Sequence, residues 1–227
     1  MQTDKHTVVL ILRTGGDFHF SDVSLLASSL QNSWGGSVPL EIVCFTNLVE
    51  TEPLSLRGFT AVHLPNNWPG WWSKMNLFSP ALKKYRPFLY MDLDTLLIDG
   101  LDGIIPEKDE KRFITLEDFY KPGRLASGIM WIPDTEKVDL IWKKWIRNPS
   151  LHMRKLRGDQ DFIGRCTTAD QFWQKRTSLI GTFKPKGQWR ITKPNNLSIV
   201  CFHGNPRIPK AAKTIPWVRE YVTRNTK

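Results

Sequence analysis

Phe88-Leu89-Tyr90-Met91-Asp92-Leu93-Asp94-Thr95-Leu96-Leu97-Ile98 is the stretch on which the fold turns. Pro87 forces an extended entry into four apolar residues, which read as a fully buried strand. Two carboxylates follow, and a second apolar run closes behind them. They are therefore held beside the core rather than on a solvated face. Burying both without compensation costs on the order of several kcal/mol per ion, so positive charge is expected there. Two positions apart on an extended chain, Asp92 and Asp94 lie about 6.6 Å apart at Cα on one face. That spacing lets both reach one divalent cation, and oxygen ligands favour Mg²⁺ or Mn²⁺ over zinc. An N-cap with a salt-bridged turn is the plain alternative.

Outward from this segment, apolar runs of strand length alternate with helical patterns, the layout of a mostly parallel sheet flanked by helices. Strands are expected at Thr7–Leu12, Leu40–Phe45, Phe59–Leu64, Arg112–Leu116, Gly128–Ile132 and Leu197–Phe202. Helices are expected at Ser21–Gln31, with Ser21 as N-cap, at Ser73–Tyr85, from an Asp134 cap to about Arg147, and at Asp159–Arg165. Pro53 and Gly58 break the loop before the third strand, and the tail from Pro216 adds a last turn of helix. With no repeat, low-complexity tract or linker, residues 1–227 read as one α/β domain, and a chain of 41% hydrophobic residues has material for a sizeable core, which excludes general disorder.

Cys44 and Cys201 sit inside apolar runs, and with Cys166 they read as free thiols of a reducing compartment. Val8–Leu12 is too short for a signal-peptide core or membrane span, so a soluble, cytoplasmic protein without a transmembrane segment is expected. The formal charge of +10 is uneven: residues 1–113 carry net −3 and residues 114–227 net +13. Soluble partners of the second half are expected to be anionic.

The segment Tyr90–Ile98 resembles the Asp-x-Asp segment of nucleotide-sugar glycosyltransferases with the GT-A fold, particularly the glycogenin-like and bacterial galactosyltransferase group, family 8. The likeness recurs in order along the chain. Residues 13–17 through 27–30 are similar to the family's nucleotide loop and first helix, and Lys74 to its donor-binding lysine. Ser127-Gly128-Ile129-Met130-Trp131 resembles its Asn-Ser-Gly strand, Gly158-Asp159-Gln160 its Asp-Gln turn, and Phe202-His203-Gly204 with Arg207 its late His-Gly motif.

The resemblance implies a single GT-A domain with a Rossmann-like sheet and a metal-dependent transfer from a nucleotide diphosphate sugar, UDP-sugar by default. Asp92 would touch metal and ribose, Asp94 would chelate, and His203 would complete the ligands. Thr14, Gly15 and Asp17 would lie against the nucleotide, and His19 stands where the family stacks an aromatic on the base. Lys74, Ser127, Gly128, Gly204 and Arg207 would hold the donor's sugar and phosphates. Asp159 and Gln160 would face the reacting carbon, Asp159 stabilising an oxocarbenium-like centre in a retaining enzyme. Asp161 is the alternative for that role. Ala126 departs from the family's Asn, which leaves the donor sugar open.

The ten tryptophans divide by context. Trp142 and Trp145 have core spacing, whereas Trp71, Trp72 and Trp189 read as surface rings for stacking. Residues 152–157 place basic side chains directly before Asp159, which points to a polyanionic acceptor. A nucleic acid carrying a hydroxylated base and an anionic envelope glycan or lipid both match that description. Two rival readings stay open: a nucleic-acid-binding protein with a metal-dependent phosphodiesterase site, drawing on Glu117-Asp118 or Asp159 with Asp161, and a non-catalytic nucleotide-sugar-binding domain.

Overall fold

The computed structural model describes residues 5–48, 58–101 and 103–226. Strand β1 (His6–Leu12) is flanked by β2 (Leu40–Thr46) and β4 (Phe88–Met91), both parallel to it. Because successive side chains point to opposite faces, each strand feeds two cores. Val8, Leu10 and Leu12 with Leu89 and Met91 pack on one side, against Val23, Leu26, Ala27 and Leu30 of helix α1 (Phe20–Ser33). Val9, Ile11, Phe88 and Tyr90 pack on the other, with Met75, Phe78, Ile141 and Trp145. Leu10 is fully buried, so Leu10→Ala costs about 2–5 kcal/mol.

The remaining strands of this sheet are β3 (Thr60–His63), β6 (Ile114–Glu117), β7 (Leu125–Ile132) and β8 (Gln171–Phe172), and the order is β3-β2-β1-β4-β7-β6-β8. β7 is antiparallel to both neighbours; the other pairings are parallel, as the alternating pattern predicts. Beyond Asp94 the chain leaves this sheet. β5 (Thr95–Leu97) pairs with β10 (Ile199–Cys201), which also pairs with β9 (Ile180–Thr182). The carboxylate pair therefore occupies the joint between two sheets. A third core of Leu96, Ile98, Phe183 and Phe202 lies beneath two terminal helices, Ile208–Thr214 and Pro216–Asn225.

Several expected boundaries move. His19, not Ser21, is the N-cap of α1: Asp22 accepts its N–H at 2.7 Å. Ser73–Tyr85 is not one α-helix but two 3₁₀ segments, Gly70–Phe78 and Pro80–Tyr85, because Pro80 drives Ser79 out of the helical region (φ −68°, ψ 154°). Helix α2 (Glu136–Trp145) starts after Thr135, while Asp134 lies 3.4 Å from Lys83 Nζ. Helix α3 (Pro149–Lys155), absent from the sequence reading, is capped by Asn148, whose side chain accepts the Leu151 N–H at 3.0 Å. Helix α4 (Asp159–Cys166) falls where expected, and the tail makes ten helical residues rather than one turn. Gly58 has the positive φ of a turn (81°), and the expected break at Pro53 lies outside the described residues. Among the described residues no helix is long and apolar enough to cross a membrane, and all three cysteines are free thiols.

Candidate functional site

A cavity of about 810 Å³ opens where β4 ends. Asp92 leaves the strand with its N–H bonded to Gly128 O of β7 at 2.8 Å, and Asp94 O accepts the Phe202 N–H at 2.8 Å. One turn thus stitches the two sheets together, and both carboxylates line the cavity floor.

Each is already compensated. Asp92 accepts the Tyr90 hydroxyl at 2.5 Å and Lys74 Nζ at 2.9 Å. Lys74 Nζ also stands 3.4 Å from Asp159, whose Oδ2 accepts the Ser127 hydroxyl at 2.6 Å. Arg207 spans the other side, with Nη1 on Asp94 at 2.5 Å, Nη2 on Asp17 at 2.9 Å and its guanidinium 4.7 Å above the Phe18 ring. Three distant segments, the first loop, the carboxylate turn and the late basic turn, are joined by that one side chain.

The positive charge is still insufficient. Burial pushes Asp94 up to about 7, and the Asp92 charge adds to it, against the pull of Arg207 and Lys74. Burial raises Asp92 as well, with Lys74 and the Tyr90 hydroxyl opposing, although 24% of its side chain is exposed. Burial lowers Lys74, but the carboxylates of Asp159 and Asp92 outweigh it and the amine is held protonated. Burial and the Lys184 cation pull His203 down to about 4, so its ring is neutral at pH 7.

Asp92 and Asp94 present hard oxygen donors from one turn, which suits Mg²⁺ or Mn²⁺: such ions take one or two carboxylates and complete their shell with water and substrate phosphates. A preformed three-residue cage is absent among the described residues. The expected third ligand, His203, lines the same cavity but has one ring nitrogen already engaged. Its Nε2 meets the Thr182 hydroxyl at 2.7 Å, and its ring packs against Phe119 and Tyr120. The donor set fits an ion shared with a bound phosphate, held by the two aspartates.

Other expected residues divide in the same way. Lys74, Ser127, Gly128, Asp159, Gln160 and Arg207 line the cavity, as do Asp17, His203 and Gly204. Thr14, Gly15 and His19 do not. Thr14 is tied to Asn47 through its N–H (2.8 Å) and hydroxyl (2.8 Å), and His19 caps α1. The aromatic that reaches the cavity is Phe18, one residue earlier. Gly204 has φ +64°, a conformation that favours glycine and turns the chain at the late motif. Asp159, at the first position of α4, is 5% exposed and bonded; Asp161 also lines the cavity but has neither contact of Asp159.

Lys184 is a residue that sequence reasoning missed. Its Nζ donates to His203 O and, at 2.8 Å, to Asn205 O, clamping the turn around Gly204. It follows a short strand with no readable period. Lys121 and Arg124 were missed too, although Lys121-Pro122-Gly123-Arg124 is a turn signal between two strands. Of the expected basic segment only Arg157 reaches the cavity, while His152 packs between Trp145 and Phe162. Among the tryptophans, Trp71 and Trp189 are exposed and Trp145 is buried as expected, but Trp72 is buried, stacked on Trp145 at 5.3 Å.

No protein-family model matches the chain, and no curated protein matches it. Solved structures do. The glycosyltransferase GlyE of Streptococcus pneumoniae TIGR4 superposes with a TM-score of 0.62 at 12% identity, over 96% of this chain and 60% of that one. The galactosyltransferase LgtC, in complex with donor and acceptor sugar analogs, gives 0.63 at 10% identity over 97% and 95%. The bifunctional glycosyltransferase WbbM gives 0.62 at 10% identity over 99% and 52%. The chain thus spans about 60% of GlyE and half of WbbM, but nearly all of LgtC. Over almost its whole described length, this protein has the α/β fold that these glycosyltransferase structures share.

Proposed function

We propose that residues 1–227 form one GT-A domain that transfers a sugar from a nucleotide diphosphate sugar, a UDP-sugar by default, to a hydroxyl of a glycan acceptor with retention of configuration. The observation that carries this reading is convergence: segments separated by up to 190 positions, from Asp17 to Arg207, meet at one cavity around a carboxylate pair. The carboxylate pair, Lys74 and Arg207 suit a diphosphate leaving a sugar. The free thiols suit a reducing compartment, which we take to be the cytoplasm.

In the transfer, the acceptor oxygen bonds to the anomeric carbon and the bond from that carbon to the β-phosphate oxygen breaks. The bonding pair leaves with the nucleoside diphosphate, and the hydroxyl proton passes to the departing phosphate. Asp92 and Asp94 would hold a Mn²⁺ or Mg²⁺ ion, which would supply Lewis-acid neutralisation of that leaving charge. Arg207 offers a planar fork to phosphate oxygens, and Gly204 lets them approach the backbone. Lys74 bridges phosphate and sugar sides, since it touches both Asp92 and Asp159. Asp159, oriented by Ser127, faces the anomeric carbon and stabilises positive charge that develops there. Phe18 and Asp17 hold the nucleotide end.

The phosphodiesterase reading fares worse. Glu117 accepts the Gly123 N–H at 2.7 Å and Asp118 those of Tyr120 and Lys121, so these acids build a hairpin turn. A panel of UDP-, GDP- and ADP-sugars with Mn²⁺ tests the proposal without an acceptor, by slow release of nucleoside diphosphate. Release from one base class supports it. DNA cleavage without such release would replace it, and nucleotide binding without release would favour a non-catalytic domain.

A further inference from the structure

The rim of the cavity carries cations that stand apart from the carboxylate pair. Lys121 and Arg124 lie in the β6–β7 hairpin turn and Arg157 directly before α4, and all three line the cavity. Among the described residues none of them forms an ion pair. Lys74 and Arg207, by contrast, already face carboxylates.

The turn is well braced. Lys121 N–H bonds to Asp118 O at 3.2 Å, Arg124 N–H to Lys121 O at 3.2 Å, and Asp118 N–H to Arg124 O at 2.7 Å. Gln160 Nε2, 3.3 Å from Asp118 Oδ2, ties the turn to α4 beside Asp159. Asp118 and Asp161 are the acids of this rim, and the carboxylate of Asp118 is engaged by Tyr120 N–H, Lys121 N–H and Gln160. One exposed ring flanks the same mouth: Trp71 lines the cavity, is 58% exposed and lies over Gly158, where a Cβ would stand 3.2 Å from its indole nitrogen.

Resting on the transferase reading, we propose that the acceptor carries an anionic group, carboxylate or phosphate, beside its reacting ring. Lys121, Arg124 and Arg157 bind that group, and Trp71 packs on the ring. The position follows from Arg157, two residues before Asp159, which marks the reacting-sugar end. An anionic acceptor must also approach a diphosphate of like charge, and rim cations offset that repulsion. A compact anionic sugar is favoured over a nucleic acid because the cations gather at one mouth. The basic side chains of α2 and α3, Lys144 and Lys155 among them, are not in the lining, whereas Lys121, Arg124 and Arg157 are.

The test is a binding series on the whole chain saturated with UDP and Mn²⁺, following tryptophan fluorescence and heat. The probes are glucose, glucuronate, glucose 6-phosphate and a single-stranded DNA 12-mer. We expect at least one anionic sugar to bind about tenfold or more tighter than glucose. The carboxylate and phosphate arms identify which group is read. In Lys121→Ala/Arg124→Ala and in Arg157→Ala that ratio falls towards one; being a ratio within each variant, it is insensitive to lost folded protein. Equal binding of the three sugars, an unchanged ratio in the variants, or displacement of UDP by the anion overturns the proposal alone. Tighter binding of the oligonucleotide through the same cations overturns it in favour of nucleic acid. Failure to bind any nucleoside diphosphate overturns the transferase reading and this proposal with it.

Discussion

The floor and the rim of the cavity handle charge in opposite ways. On the floor, Asp92, Asp94 and Asp159 are gripped by Lys74 and Arg207, within contacts of 2.5 to 3.4 Å. At the rim, Lys121, Arg124 and Arg157 stand without ion pairs among the described residues. A ligand for the floor must rearrange existing pairs, so it needs strong local charge: a diphosphate with its cation. A rim ligand meets groups that are already available, so a single anionic substituent suffices. The difference predicts that floor substitutions abolish chemistry, whereas rim substitutions alter preference.

The largest effect should come from Asp159→Asn. It removes a buried carboxylate at the reacting carbon, and transfer should fall about 10²–10³-fold while calorimetric binding of UDP with Mn²⁺ persists. An active variant would break the assignment of the floor to chemistry.

Asp94→Asn should reduce metal-supported nucleotide release by about a hundredfold. In chelator, its melting temperature at pH 7 should be equal to or above that of the parent, because burial, and then the Asp92 charge, disfavours the ionised Asp94. A marked drop in melting temperature would show that the Arg207 pair stabilises the fold and that the floor is not charge-stressed.

Lys184→Met should raise the donor KM about tenfold with a smaller change in kcat, since two hydrogen bonds to the Gly204 turn are lost. Donor kinetics identical to the parent would remove Lys184 from the floor's support.

The smallest effect is a pH dependence of the metal-free protein. Asp94 titrates at about 7 in the fold against an ordinary 3.8, so the native state binds the extra proton between these values. Its contribution to stability is present below pH 4 and is lost as pH rises through 7. Melting scans in chelator should show this decline, and Asp94→Asn should flatten it.

Much of this architecture was legible along the chain. Runs such as Val8–Leu12 and Phe88–Met91 are buried on both faces, and continuous apolar character over that length has few other solutions. The carboxylate pair was legible because two charges between apolar runs demand compensation. The helix after Asn148 and the 3₁₀ breaks at Ser79 were not, since short segments owe their form to local proline geometry and to what packs on them. His203 shows the same limit: the motif brought it to the cavity, but Thr182, 21 positions away, sets where its ring nitrogen points.

The amino-acid sequence alone determined the main alternation of strands and helices, the placement of Asp92 and Asp94 beside the core and the need for positive charge beside them. These follow from local pattern and from the cost of desolvating an ion. Only the tertiary structure decided which cations answer that need, that Phe18 rather than His19 reaches the cavity, and that Lys121, Arg124 and Arg157 share its mouth. Those outcomes depend on which chain segments, remote in sequence, the two sheets bring within a few ångströms, where electrostatic and hydrogen-bonding energies become large.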